Sequence, residues 1–144
     1  MIDLLLVEDS ADDAEMVLRS LKKVNLSDRL LWLKDGASAL DYLLSKNDYR
    51  HRPTSEQPRV IFLDLKLPKL DGLELLEEIK KNEEISHIPV VMMTSSREER
   101  DIFKSYDLGA NSYLVKPVDF KNFSNMIIEA ANYWLSTNIS PRFT

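Results

Sequence analysis

The sequence contains no cysteine, which excludes disulfides, thiol nucleophiles and thiolate metal sites. It also lacks an excess of basic residues: 19 Lys and Arg stand against 24 Asp and Glu, for a net charge of −5. A nucleic-acid-binding face would be basic, so that class of partner is excluded. No apolar run approaches the ~18 residues that a membrane span requires. The opening stretch "MIDLLLVEDSADD" has no basic n-region and no small-residue cleavage site, so no secretory signal is expected. The cytoplasm is then the expected location, and the Asn-x-Ser triplets at Asn25, Asn122 and Asn138 are chance matches. The two histidines, His51 and His87, lack metal-ligand spacing. There is no internal repeat or low-complexity tract.

What is present suits one domain. The chain has 144 residues, 44% of them hydrophobic, enough for a single core. Short apolar runs alternate with segments of helical period. Strands are expected over 2–7, 29–34, 60–64, 88–94 and 111–116. Helices are expected over 11–24, 36–46, 71–82, 97–109 and 119–135, with Gly109 and Asp119 as caps. That alternation implies βαβ units and a parallel sheet. The apolar runs 2–7, 60–64 and 88–94 suit central strands, and "RLLWLK" (29–34), with charged ends, suits an edge. The flavodoxin-like (βα)5 order 2-1-3-4-5 satisfies these constraints. Residues 47–59 form a polar loop whose basic cluster, Arg50, His51, Arg52 and Arg59, is expected to be solvated. Residues 136–144 form a tail too short for a second domain.

Polar residues gather where the strands end. Glu8 and Asp9 follow the first strand, Asp64 closes the third, Thr94 the fourth and Lys116 the fifth. Ligands of open α/β sheets bind at the carboxyl ends of the strands, at the switch point of the strand order. A carboxylate at position 64 closing a buried run is expensive without partners. A hard divalent cation such as Mg²⁺, which prefers oxygen ligands, would relieve the repulsion between Glu8, Asp9 and Asp64. Lys116 supplies positive charge from the other side. Such a site suits phosphoryl transfer, which needs positioning and charge neutralisation, with Asp64 as a nucleophile that forms an acyl phosphate.

The motifs "LLVEDS", "IFLDLKLPKLDGLELL", "IPVVMMTSS" and "GANSYLVKP", in this order, resemble the receiver domain of two-component response regulators over about residues 2–135. The resemblance implies that Asp64 accepts phosphate from a histidine kinase. It implies Mg²⁺ held by Asp9, Asp64 and the backbone carbonyl of Lys66, with Glu8 acting through a water. Lys116 would contact the phosphoryl group, and the Lys116–Pro117 bond would be cis. Thr94 and Tyr113 match the family's switch pair. Lys66 and Ser96 flank the path of the water that hydrolyses the phosphoaspartate, and a lysine there would slow its loss. The long loop 47–59, "LPKLDG" and "YWLSTNISP" resemble regulators paired with phytochromes. Members of that group often dimerise through the fourth helix, fifth strand and fifth helix. The apolar fifth helix (Phe120, Phe123, Met126, Ile127, Trp134, Leu135) suits either such a dimer or simply the core. With no output domain, signalling would run through a downstream protein target or a phosphotransfer protein.

Two other functions fit parts of the pattern. Haloacid-dehalogenase-type hydrolases also use an aspartyl phosphate, but their second acid, two residues on, is replaced here by Lys66. A degenerate receiver serving only as a binding module would usually have lost an acid or the lysine, and this chain keeps them all.

Overall fold

The computed structural model describes residues 2–141. Five strands, β1 (Leu4–Val7), β2 (Leu30–Leu33), β3 (Val60–Leu63), β4 (Val90–Thr94) and β5 (Ser112–Val115), pair in parallel in the order β2-β1-β3-β4-β5. Five helices connect and follow them: α1 (Ala11–Lys23), α2 (Gly36–Leu44), α3 (Gly72–Lys81), α4 (Glu99–Asp107) and α5 (Phe120–Asn132). This is the expected flavodoxin-like fold, with β2 at an edge. Among the described residues no helix is long and apolar enough to cross a membrane.

Side chains alternate across the strands, so each central strand feeds two cores. Leu5, Val7, Ile61, Leu63, Val90 and Met92 pack with α2 and α3 on one face. Leu4, Leu6, Val60, Phe62, Val91 and Met93 pack with α1 and α5 on the other. Both faces being covered explains the uninterrupted apolar runs. In α4 only Ser105 is buried, and Phe103 and Tyr106 stand in solvent, in keeping with the weak pattern over 97–109.

Several boundaries differ from expectation. β4 starts at Val90 rather than residue 88, because Pro89 has no N–H to donate; its carbonyl still accepts from Ile61 N at 2.9 Å. The regular part of α5 ends at Asn132, and the chain continues through a π-helical turn, Tyr133–Thr137, that buries Leu135. That turn takes up the start of the expected tail 136–144, whose last three residues lie outside the described ones. The loop 47–59 is built rather than merely solvated. Arg52 stacks 4.0 Å over the Tyr42 ring and donates to Tyr42 O at 2.9 Å and to Gln57 Oε1 at 2.9 Å. Arg59 lies 3.4 Å from Asp3. Only Arg50 and His51 of that basic cluster are exposed.

One expected feature is corrected. No peptide bond among the described residues is cis, so the Lys116–Pro117 bond is trans. The two isomers of a bond to proline differ by only about 0.5–1 kcal/mol, too little for the local sequence to decide between them. With the bond trans, Lys116 N donates to Thr94 O at 2.8 Å and its side chain reaches the acidic cluster.

Candidate functional site

The order of strands brings the ends of β1 and β3 side by side. Val7 is in register with Leu63, and Asp64 N donates to Val7 O at 3.1 Å. Glu8 and Asp64, the next residues on the two strands, therefore meet at the carboxyl edge of the sheet. Asp9 joins them: one carboxylate oxygen from each of Glu8, Asp9 and Asp64 lies within 4.8 Å of the others. Burial differs sharply between the neighbours, for Glu8 is fully buried and Asp9 is exposed.

Lys116 reaches the cluster from the end of β5. Its Nζ donates to Glu8 Oε1 at 2.6 Å, Asp13 Oδ2 at 2.8 Å and Asp64 Oδ2 at 3.0 Å. Its three donors thus meet three carboxylates. The other Asp64 oxygen accepts from Leu65 N at 2.7 Å, and Glu8 Oε2 accepts from Ser10 N at 3.2 Å. Asp13 was not among the residues singled out in the sequence. It stands in the first turn of α1, where its N–H donates to the N-cap Ser10 at 3.2 Å. Its position one helical turn beyond Asp9 was the available signal.

The charges do not balance. Glu8, Asp13 and Asp64 share the ammonium of Lys116, and Asp9 adds a fourth carboxylate beside Glu8 and Asp64. Burial, reinforced by Asp64 and opposed by Lys116, pushes the Glu8 carboxyl up from 4.5 to about 7. Burial alone would lower the Lys116 ammonium, but its bonds to Asp13 and Glu8 and the charge of Asp64 outweigh that and raise it. An all-oxygen, over-negative cluster fits a hard divalent cation.

Thr94 is buried at the end of β4, where its Oγ1 accepts from Ser96 N at 3.3 Å. Tyr113 OH donates to Ser96 O at 3.0 Å, and Ser96 Oγ donates to Asp101 Oδ2 at 2.6 Å. Ser96 therefore ties together Thr94, Tyr113 and the first turn of α4. Thr94, Ser96 and Lys66 line the same cleft as the acids and Lys116; Tyr113 stands behind it, joined through Ser96. Asp71 and Gly72 start α3 through a capping box with Glu74 and take no part in the cleft.

The burial of Glu8 predicts a pH dependence. Its folded pKa exceeds its unfolded one, so between about 4.5 and 7 the folded state binds more protons. Stability should then fall as pH rises through that window. Urea midpoints in EDTA should be higher below the window's upper edge than above it, and Glu8→Gln should flatten the difference. A wild-type midpoint that rises with pH would contradict this.

The response regulator receiver domain family matches residues 4–128. The probable methanogenesis regulatory protein FilR2 of Methanothrix harundinacea is 40% identical over 139 residues, covering 96% of this chain and 86% of that protein. Response regulator Rcp1 of Synechocystis is 40% identical over 138 residues, covering 96% and 92%. The crystal structure of the Mn²⁺-bound form of Rcp1 superposes with a TM-score of 0.87 at 39% identity, covering 98% of this chain and 99% of that one. The phosphorylated cyanobacterial phytochrome response regulator RcpA superposes with a TM-score of 0.90 at 34% identity, covering 97% and 98%.

Proposed function

This chain belongs to the response regulator receiver domain family, and from that premise we propose that Asp64 accepts the phosphoryl group and that a phytochrome-type histidine kinase supplies it. Receiver domains are phosphoacceptor signalling modules of two-component systems rather than metabolic enzymes, and their phosphodonor is a histidine kinase. The observation that carries the assignment to Asp64 is the Lys116 ammonium 3.0 Å from its carboxylate, beside the oxygens of Glu8 and Asp9.

In this reading an Asp64 oxygen attacks phosphorus. The new O–P bond forms as the P–N bond of the kinase phosphohistidine breaks, and the electron pair leaves on the imidazole nitrogen. Lys116 exchanges its bond to Asp64 for one to a phosphoryl oxygen. The Thr94 hydroxyl gives up Ser96 N and turns to the phosphoryl group, which frees Tyr113 through the same residue. Asp9, Asp64 and the Lys66 carbonyl would hold Mg²⁺, with Glu8 acting through a water. The bound cation would neutralise the phosphoryl oxygens in flight.

The finer partners rest on likeness to Rcp1 and RcpA. A downstream protein target or phosphotransfer protein would receive the signal. The exposed Phe103 and Tyr106 of α4 suit a homodimer through α4, β5 and α5.

Phosphotransfer from purified histidine kinases tests the reading. A phytochrome-type kinase should label the chain at least tenfold faster than unrelated kinases, a margin of about 1.4 kcal/mol. Labelling by acetyl phosphate with no kinase preference would end the phytochrome reading; labelling by neither would end the assignment to Asp64. Lys66→Asn should shorten the phosphoaspartate lifetime several-fold, because Lys66 is exposed at the cleft mouth beside the path of water. An unchanged or longer lifetime would remove Lys66 and, with it, the matching role for Ser96.

A further inference from the structure

The geometry points to Trp32 as a positioning residue for the metal site, through the peptide plane between Glu8 and Asp9. Trp32 lies on the edge strand β2, in register with Leu6 rather than with the acids. Its ring packs half-buried against the core on the α1 side, and Lys34 Nζ sits 5.2 Å over it. The indole Nε1 nevertheless reaches beyond the end of β1 and donates to Glu8 O at 2.7 Å. Nothing in the metal chemistry of the carboxylates requires an indole at this position, and this bond has no part in the phosphoryl steps proposed above.

The bond matters because of what shares that plane. A peptide group is rigid, so the Glu8 carbonyl, the Asp9 nitrogen and the Asp9 Cα move together. On the Glu8 side the backbone is held by Glu8 N donating to Leu33 O at 3.1 Å. The sheet's ladder ends there. Among the described residues no backbone N–H is bonded to Glu8 O; the indole takes that place.

Asp9 depends on this more than its neighbours do. Glu8 is held at both carboxylate oxygens by Ser10 N and Lys116, and Asp64 by Leu65 N and Lys116. No hydrogen bond to the Asp9 carboxylate is found among the described residues, and Asp9 is exposed. Its direction is set by the backbone that carries it. Groups outside the ligand set that orient ligands are worth about 10–100-fold in metal affinity. Trp32 acts in this way on a main-chain plane instead of on a side chain.

The inference rests on the divalent-ion site proposed above. Its test is Mn²⁺ binding, followed by the electron paramagnetic resonance of the free ion. Trp32→Phe keeps an aromatic ring and removes the N–H. It should raise the Kd for Mn²⁺ about tenfold while leaving the melting midpoint in EDTA close to that of the wild type. In labelling by acetyl phosphate, the Mg²⁺ concentration for half-maximal rate should rise by the same factor, with the plateau rate unchanged. A benzothiophene analogue of tryptophan placed at position 32 alone has the same shape without the N–H, and should reproduce the loss if Trp32→Phe folds poorly. A Kd within twofold of the wild type in the benzothiophene variant would overturn the inference. So would a lowered plateau rate at unchanged half-maximal Mg²⁺. A wild type that binds no Mn²⁺ would instead sink the site reading on which the inference rests.

Discussion

Asp64→Asn is expected to abolish labelling by acetyl phosphate and Mg²⁺, and yet to melt above the wild type in EDTA. The loss of labelling follows from the chemistry, since a neutral carboxamide is not the nucleophile that a carboxylate is. The gain in stability follows from charge. Without metal, Asp64 faces Glu8 and Asp9 with only Lys116 to offset them. Unit charges about 4 Å apart interact by about 4 kcal/mol at an effective dielectric of about 20. Asparagine keeps one acceptor oxygen, enough for Leu65 N, loses the one that Lys116 uses, and removes the repulsions. The net change should be about 1 kcal/mol in favour of the variant, because the lost attraction cancels much of the relief. Saturating Mg²⁺ should reverse the order, since a ligand stabilises only the state that binds it. Thermal melts with and without Mg²⁺ check both halves. A variant less stable than the wild type in EDTA would mean that Lys116 binds Asp64 more strongly than the other acids repel it.

Gly72→Ala should be the most damaging single methyl in the molecule's active face. A Cβ built at Gly72 would lie 2.1 Å from Asp64 O and 2.6 Å from Leu65 O. Those are backbone atoms, so no rotamer change relieves the contact. The segment carrying Asp64 must move away from α3, which also loses the bond from Gly72 N to Leu65 O at 2.8 Å. Overpacking in a rigid place costs about 3 kcal/mol, and here the displacement passes directly to the phosphoacceptor. Urea denaturation should show the midpoint falling at constant slope, and Mn²⁺ affinity should fall with it. A stability loss under about 1 kcal/mol would show that the 64–72 segment yields more easily than close packing allows.

Much of this molecule is legible in its sequence alone. The two periodicities separated strands from helices, and the unbroken apolar runs at 60–63 and 90–93 marked strands covered on both faces. Polar residues closing those runs then fell at one edge of the sheet, because all strands of a βαβ array point the same way. Asp64, Glu8, Asp9, Thr94 and Lys116 could be collected on that ground alone, since strand direction is a local consequence of the chain's alternation.

What tertiary structure decided are the features that depend on distance across elements. Asp13 became a partner of Lys116 only when α1 docked its first turn over the switch point. Adjacent acids parted ways, Glu8 fully buried against Lys116 and Ser10 N, and Asp9 exposed in the turn between β1 and α1. Arg52 turned from a loop charge into a staple on Tyr42, and Trp32 found Glu8 O from the neighbouring strand. The isomer of the Lys116–Pro117 bond was likewise left to the surroundings. Pattern along a chain carries the direction and facing of each element; which atoms meet depends on register and docking, and those are set by packing between segments that the sequence keeps far apart.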